Sequence, residues 1–79
     1  MWGGVYLHRE PVGFPKAING LAVIVEQQMG LSPYLDAVFV FGNKRRDKVK
    51  VLYWDKTGFC LWQKRLEQDK FKWPAQAGL

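Results

Sequence analysis

One cysteine and one histidine are the only sulfhydryl and imidazole groups in 79 residues. With Cys60 alone, no internal disulfide and no cysteine-based zinc site can form. His8 has no Cys or acidic partner at ligand spacing, so it reads as a surface or capping residue, and no metal site is expected. No window reaches the roughly 18 apolar residues that a membrane span requires. The opening "MWGGVYLHRE" lacks a basic start followed by an apolar run, so no signal peptide is read there. There is no Gly-rich phosphate loop ending in Lys-Ser/Thr and no legible Ser-His-Asp arrangement. No internal repeat and no low-complexity segment occurs. These absences favour a cytoplasmic protein without cofactor over a membrane protein, a disulfide scaffold or an autonomous enzyme.

What is present is apolar and aromatic matter in unusual amount. Apolar residues make up 48% of the chain and aromatics 15%, which places it among folded rather than disordered sequences. A chain this short forms one small domain, 1–79, with one small core. Its twelve Phe, Trp and Tyr side chains are more than such a core holds, so some should meet a partner: a second copy, another protein or nucleic acid.

The net charge of +5 is unevenly placed. Residues 1–42 carry two basic against three acidic side chains, a net of −1; residues 43–79 carry ten against four, a net of +6. A positive field confined to one half points to an anionic partner there.

The pattern predicts one helix and a meander. Val5–Leu7 is a short strand candidate. From Pro15 to Met29, Ile18, Leu21, Ala22, Val25 and Met29 recur at three- and four-residue steps, which predicts an amphipathic helix over about 15–29. Pro15 fits its first position and Gly30 its C-cap, while Gly20 would let a strand approach closely. Over about 37–73 the chain reads as Ala37–Phe41, Val49–Trp54, Phe59–Lys64 and Phe71–Trp73, joined by charged turns, with Gly58 taking the positive-φ position of "DKTG". Residues 75–79 read as a tail. The expected fold is α+β: one amphipathic helix on an antiparallel β-meander of three to four strands. Alternation suggests one face of small branched residues for the helix and another that mixes Trp54 and Trp62 with Lys50 and Lys64.

Two constellations carry function. Lys44, Arg45, Arg46 and Lys48 lie in one loop, with Lys50 just beyond, and Lys64 and Arg65 should return to the same end of the sheet. Such a patch binds phosphates without reading sequence; the bland alternative is a charged, solvated edge that resists aggregation. Trp54, Trp62 and Trp73 are suited to base stacking, or to completing a core or a partner seam. Asp36, Asp47, Asp55, Glu67 and Asp69 invite comparison with an acidic nuclease site, but Asp47, Asp55 and Asp69 sit in segments whose turn chemistry explains them.

The segments "INGLAVIVEQQMGLSPY" and "VFVFGNKRRDKVKVLYWDKTGFCLWQKRLEQDKFKWP" resemble the small TnpB-type accessory proteins, encoded by the second reading frame, of the sixty-six group of bacterial insertion sequences. The resemblance runs from about Val5 to Pro74. It is carried by Asn19-Gly20-Leu21, Phe39-Val40-Phe41, Arg45-Arg46-Asp47, Lys50 to Asp55, Gly58-Phe59, Lys64 to Glu67 and Phe71 to Pro74. It implies a non-enzymatic helper of a separate transposase and leaves DNA and the transposase open as partners; the aromatic excess adds a second copy to the possible partners. Where that family usually has Asp-Met-Arg-Lys ahead of the helix, this chain has Gly13-Phe14-Pro15-Lys16. Family members also usually extend further past the Trp-Pro pair.

Overall fold

The computed structural model describes residues 3–73. In chain order the elements are β1 (Val5–Leu7), α1 (Ile18–Gln27), β2 (Val38–Gly42), β3 (Lys48–Trp54) and β4 (Phe59–Arg65). The strands form one sheet in the order β1-β2-β3-β4. β2, β3 and β4 are the expected antiparallel meander. β1 joins the far side of β2 in parallel, because the chain travels through α1 before it re-enters the sheet. The fold is the anticipated α+β unit with one helix on one sheet, but the sheet is mixed.

The fourth strand is therefore β1 and not Phe71–Trp73, which carries no strand structure. That triplet is locally strand-like, yet its first N–H is taken by the carbonyl of Arg46, 2.7 Å away, so the segment straps onto a loop instead of a ladder. The expected tail, 75–79, lies outside the described residues.

The helix is shorter than its apolar stripe. Pro15 lies in a turn closed by Lys16 N–H to Gly13 O, and the first helical bond runs from Leu21 to Ala17. At the other end Gly30 turns the chain at φ +67°, and the Leu31 N–H reaches back to Val25 O. Leu21, Ile24 and Val25 bury against Phe39, Phe41 and Leu52 to form the core. Each of these side chains contributes roughly 1.5–3 kcal/mol by leaving water. A Cβ at Gly20 would touch only the Lys16 side chain at 3.5 Å, so this glycine admits no strand.

Register reassigns the faces. Residues directly opposite across a ladder share a face. Lys50, Leu52 and Trp54 stand with Gln63, Leu61 and Phe59, and with Phe41 and Phe39, on the face that receives the helix. Val49, Val51 and Tyr53 stand with Lys64, Trp62 and Cys60 on the opposite face. The helix thus packs on the Leu52 face and not on the valines. Trp54 and Trp62, expected side by side, point to opposite sides of the sheet. In the β3–β4 turn the left-handed residue is Lys56, φ +50°, rather than Gly58.

Candidate nucleic-acid interface

The loop 43–48 is built by one asparagine. The Asn43 Oδ1 accepts from the N–H groups of Asp47 (3.2 Å) and Lys48 (3.0 Å), while its Nδ2 donates to the Asp47 carboxylate at 2.7 Å. That last bond is the main reason the Asp47 carboxyl titrates below its ordinary value, with Arg45 and Lys48 adding to the effect. Arg46 completes the reversal at φ +62°, a left-handed conformation that costs an L-residue about 1 kcal/mol.

The chain after β4 then straps the loop from beneath. Leu66 N–H donates to Asp47 O, Phe71 N–H to Arg46 O, and the Lys70 ammonium to Arg45 O. Three consecutive loop carbonyls thereby face the strap. The side chains of Lys44, Arg45 and Arg46 are exposed, and Lys48 is half-buried. Lys48 pairs with Arg65 and Val49 with Lys64, so the end of β4 returns to this corner as the alternation of antiparallel strands suggested. Arg65 holds Glu67 at 3.0 Å with both side chains largely exposed, an ion pair of little net worth. Lys70, exposed, is held at this corner by its bond to Arg45 O.

Lys50 is not part of this exposed set. It is 6% exposed on the helix face. Its ammonium donates to Phe14 O at 2.8 Å and Lys16 O at 2.7 Å, and sits 4.7 Å from the centre of the Phe14 ring. Desolvation by burial, then the nearby Lys48 charge, lowers its pKa from the ordinary lysine value.

The tryptophans also separate. Trp54 lies six residues along β3 from Lys48, about 20 Å from the basic corner. There it packs with Tyr34 (centroids 4.9 Å apart) and Phe59 (5.0 Å). Trp73 crosses to the open face and covers Gly42, where an added Cβ would meet its ring at 3.0 Å; its Nε1–H donates to Arg9 O. Trp62 is 49% exposed on that open face. Two ladder positions along, Tyr53 stands beside Cys60, whose electrostatic influence and hydrogen bond raise the phenol pKa above its ordinary value.

Elsewhere, His8 is buried rather than superficial. Its Nδ1 lies 2.7 Å from Glu10 O and its Nε2 3.0 Å from Gln28 Oε1, so it ties the end of β1 to the end of the helix. It borders an open cleft of about 760 Å³ with Leu7, Arg9 and Met29. Asp47 and Asp55 fall at opposite ends of β3, too far apart to act together on one metal.

The model of the family described as "IS66 Orf2 like protein" matches residues 3–78. The chain belongs to the IS66 Orf2-like family. Its resemblance to the sixty-six group of insertion sequences is thereby a membership, and the family suggests an accessory role in transposition. Two curated relatives, both from Sinorhizobium fredii, are similar over most of the chain. "Uncharacterized protein y4jC" is 40% identical over 65 residues, 82% of this chain and 56% of its own length. "Uncharacterized protein y4hO" is 36% identical over 66 residues, 84% of this chain and 54% of its own length. The chain thus spans about half the length of these relatives. No solved structure matches. Among the described residues of this IS66 Orf2-like chain, no helix is long and apolar enough to cross a membrane.

Proposed function

We propose that this protein is a non-catalytic accessory factor of insertion-sequence transposition, acting in the cytoplasm, and that it grips nucleic-acid phosphates through the corner formed by Lys44, Arg45, Arg46, Lys48, Lys64 and Arg65. The supporting observation is the tied loop. Its carbonyls are engaged below while its cationic side chains stand in solvent, beside the returning end of β4. Contacts of this kind are independent of sequence and weaken steeply with salt.

Binding of a 20-base-pair duplex is to be measured between 50 and 200 mM salt for the parent and for a Lys44/Arg45/Arg46 triple-alanine variant. Three lost phosphate contacts should flatten the slope of log K against log salt by up to about 3. An unchanged slope and affinity would sink this assignment.

A second reading has its own observation. Tyr34 is 58% exposed and Leu35 38% exposed beside the half-buried pair Trp54 and Phe59, at the end of the sheet away from the basic corner. Exposed aromatic clusters of this kind suit protein contacts. If the element's transposase docks there, Tyr34→Ala should weaken the complex by tenfold or more while leaving duplex binding intact. Equal complex formation by parent and variant excludes the docking site.

A further inference from the structure

β4 is the last strand of the sheet, so one of its two edges faces no neighbouring strand. Two bonds decide which backbone groups lie on that edge. Asp55 N–H donates to Gly58 O at 2.8 Å and Leu66 N–H to Asp47 O at 2.7 Å, at opposite ends of the β3–β4 ladder. Hydrogen-bonded and non-bonded pairs alternate along an antiparallel ladder. Counted inward from either end in the observed register, Cys60, Trp62 and Lys64 turn their backbone groups toward β3. Phe59, Leu61, Gln63 and Arg65 turn theirs outward. Among the described residues, nothing bonds to these outward groups. The strap after β4 runs the other way, across the 43–48 loop to Trp73 over Gly42. Trp62, Gln63, Lys64 and Arg65 are all exposed, so the second half of β4 is bare on both faces. β1, at the other edge of the sheet, has only three residues and templates little.

We propose that the outer edge of β4 binds an extended, acidic segment of a partner protein, which joins the sheet as a further antiparallel strand. A peptide supplies both the acceptors and the donors that the outward N–H and C=O groups need. Adjacent residues of a strand point to opposite faces. Two successive carboxylates on the incoming strand therefore meet Lys64 on one face and Arg65 on the other, while apolar residues follow beside Leu61 and Phe59. The exposed Arg65–Glu67 pair is no obstacle, because such pairs exchange partners at little cost. A second copy fits less well. Pairing two β4 edges about a twofold axis at Trp62 sets Lys64 against Cys60 and Arg65 against Phe59, leaving both cations of each chain unanswered. Each chain also carries a net charge of +5. A phosphate chain offers acceptors alone and leaves the outward carbonyls unmet. The edge shares Lys64 and Arg65 with the phosphate corner but does not depend on that reading.

The probe is the acetylated, amidated peptide Glu-Glu-Thr-Val-Thr-Val-Thr, with a control in which lysines replace the two glutamates. In the free protein the amides of Phe59, Leu61, Gln63 and Arg65 should exchange with solvent faster than those of Cys60, Trp62 and Lys64. The acidic peptide should slow the four outward amides, and the control should bind about tenfold more weakly or worse. Gln63→Pro removes an outward donor without touching the β3 ladder, a place where strands tolerate proline. It should weaken the acidic peptide about tenfold, the worth of roughly one hydrogen bond, with duplex binding unchanged. The Lys64→Glu/Arg65→Glu variant keeps the edge and should reverse the preference between the two peptides; thermal melts establish that each variant folds. Equal affinity of the parent for both peptides, or binding that spares the outward amides, overturns the proposal. A parent that binds duplex but neither peptide refutes the edge and leaves the phosphate corner standing. A dimer in sedimentation equilibrium whose four outward amides are protected without peptide would give the edge to a second copy instead.

Discussion

Lys50→Ala should lose about 3 kcal/mol of folding stability, the largest effect expected of any charged residue in the chain. The side chain is buried on the helix face, and its ammonium satisfies the carbonyls of Phe14 and Lys16. Truncation removes two charge-assisted hydrogen bonds, leaves two carbonyls short of a donor, and empties the space of a four-carbon stem. A protein of this size has only about 4 to 12 kcal/mol of stability in total, so the midpoint of urea unfolding should fall far. Lys50→Met restores the stem without the donor and should recover part of the loss. The two variants also differ from the parent in pH dependence. Burial lowers the lysine pKa in the folded state, so the unfolded chain binds that proton more tightly. The contribution of this group therefore improves as pH rises past its folded value toward that of an ordinary lysine, and it is lost again as pH falls. Lys50→Met should lack this alkaline gain. A Lys50→Ala protein within 0.5 kcal/mol of the parent, roughly the scatter of surface substitutions, would show that the two carbonyls find water and that the lysine is dispensable.

Asn43→Ala should cost about 2 kcal/mol and disturb the basic corner as well. It removes the acceptor of two loop N–H groups and the donor that steadies the Asp47 carboxylate. Asp47 should then titrate closer to an ordinary aspartate, an effect visible in its carbon chemical shifts. In the parent the depressed carboxyl stabilises the fold above the ordinary aspartate value. That contribution fades as pH falls through the lower folded value. The variant should show less acid sensitivity over the same range. It should also bind duplex more weakly although no cation has been removed. Retention of both the parent's stability and its duplex affinity would mean that the strap after β4 shapes the loop without help from Asn43.

Much of the architecture was legible because short-range chemistry determined it. The three- and four-residue spacing from Ile18 to Val25 and the charged turns after Phe41 and Trp54 each act within a few residues. The facing of the sheet was not legible. In "KVKVLYW" the wholly apolar set is Val49, Val51 and Tyr53, yet the helix lies on the set that holds two lysines, and Lys50 reads as a solvent residue until the carbonyls of Phe14 and Lys16 are seen above it. Those partners lie more than thirty positions away in sequence, and no local pattern announces them. The same holds for Phe71–Trp73, whose strand-like composition lost to long-range bonds with Arg46 and Arg9. Within the site, the meeting of the 44–48 loop with Lys64 and Arg65 followed from strand alternation alone. The position of Lys70 beside Arg45 depended on that same strap.

The strap bears on how tightly any anion can be held. A loop of free cations must freeze its backbone on meeting a ligand, at about 1–2 kcal/mol of entropy for each residue ordered. Here the carbonyls of Arg45, Arg46 and Asp47 are tied during folding. Only the rotamers of the cationic side chains remain to be ordered, at about 0.5–1.5 kcal/mol each. An encounter with phosphate therefore finds the backbone conformation already chosen, and more of the electrostatic attraction appears as affinity.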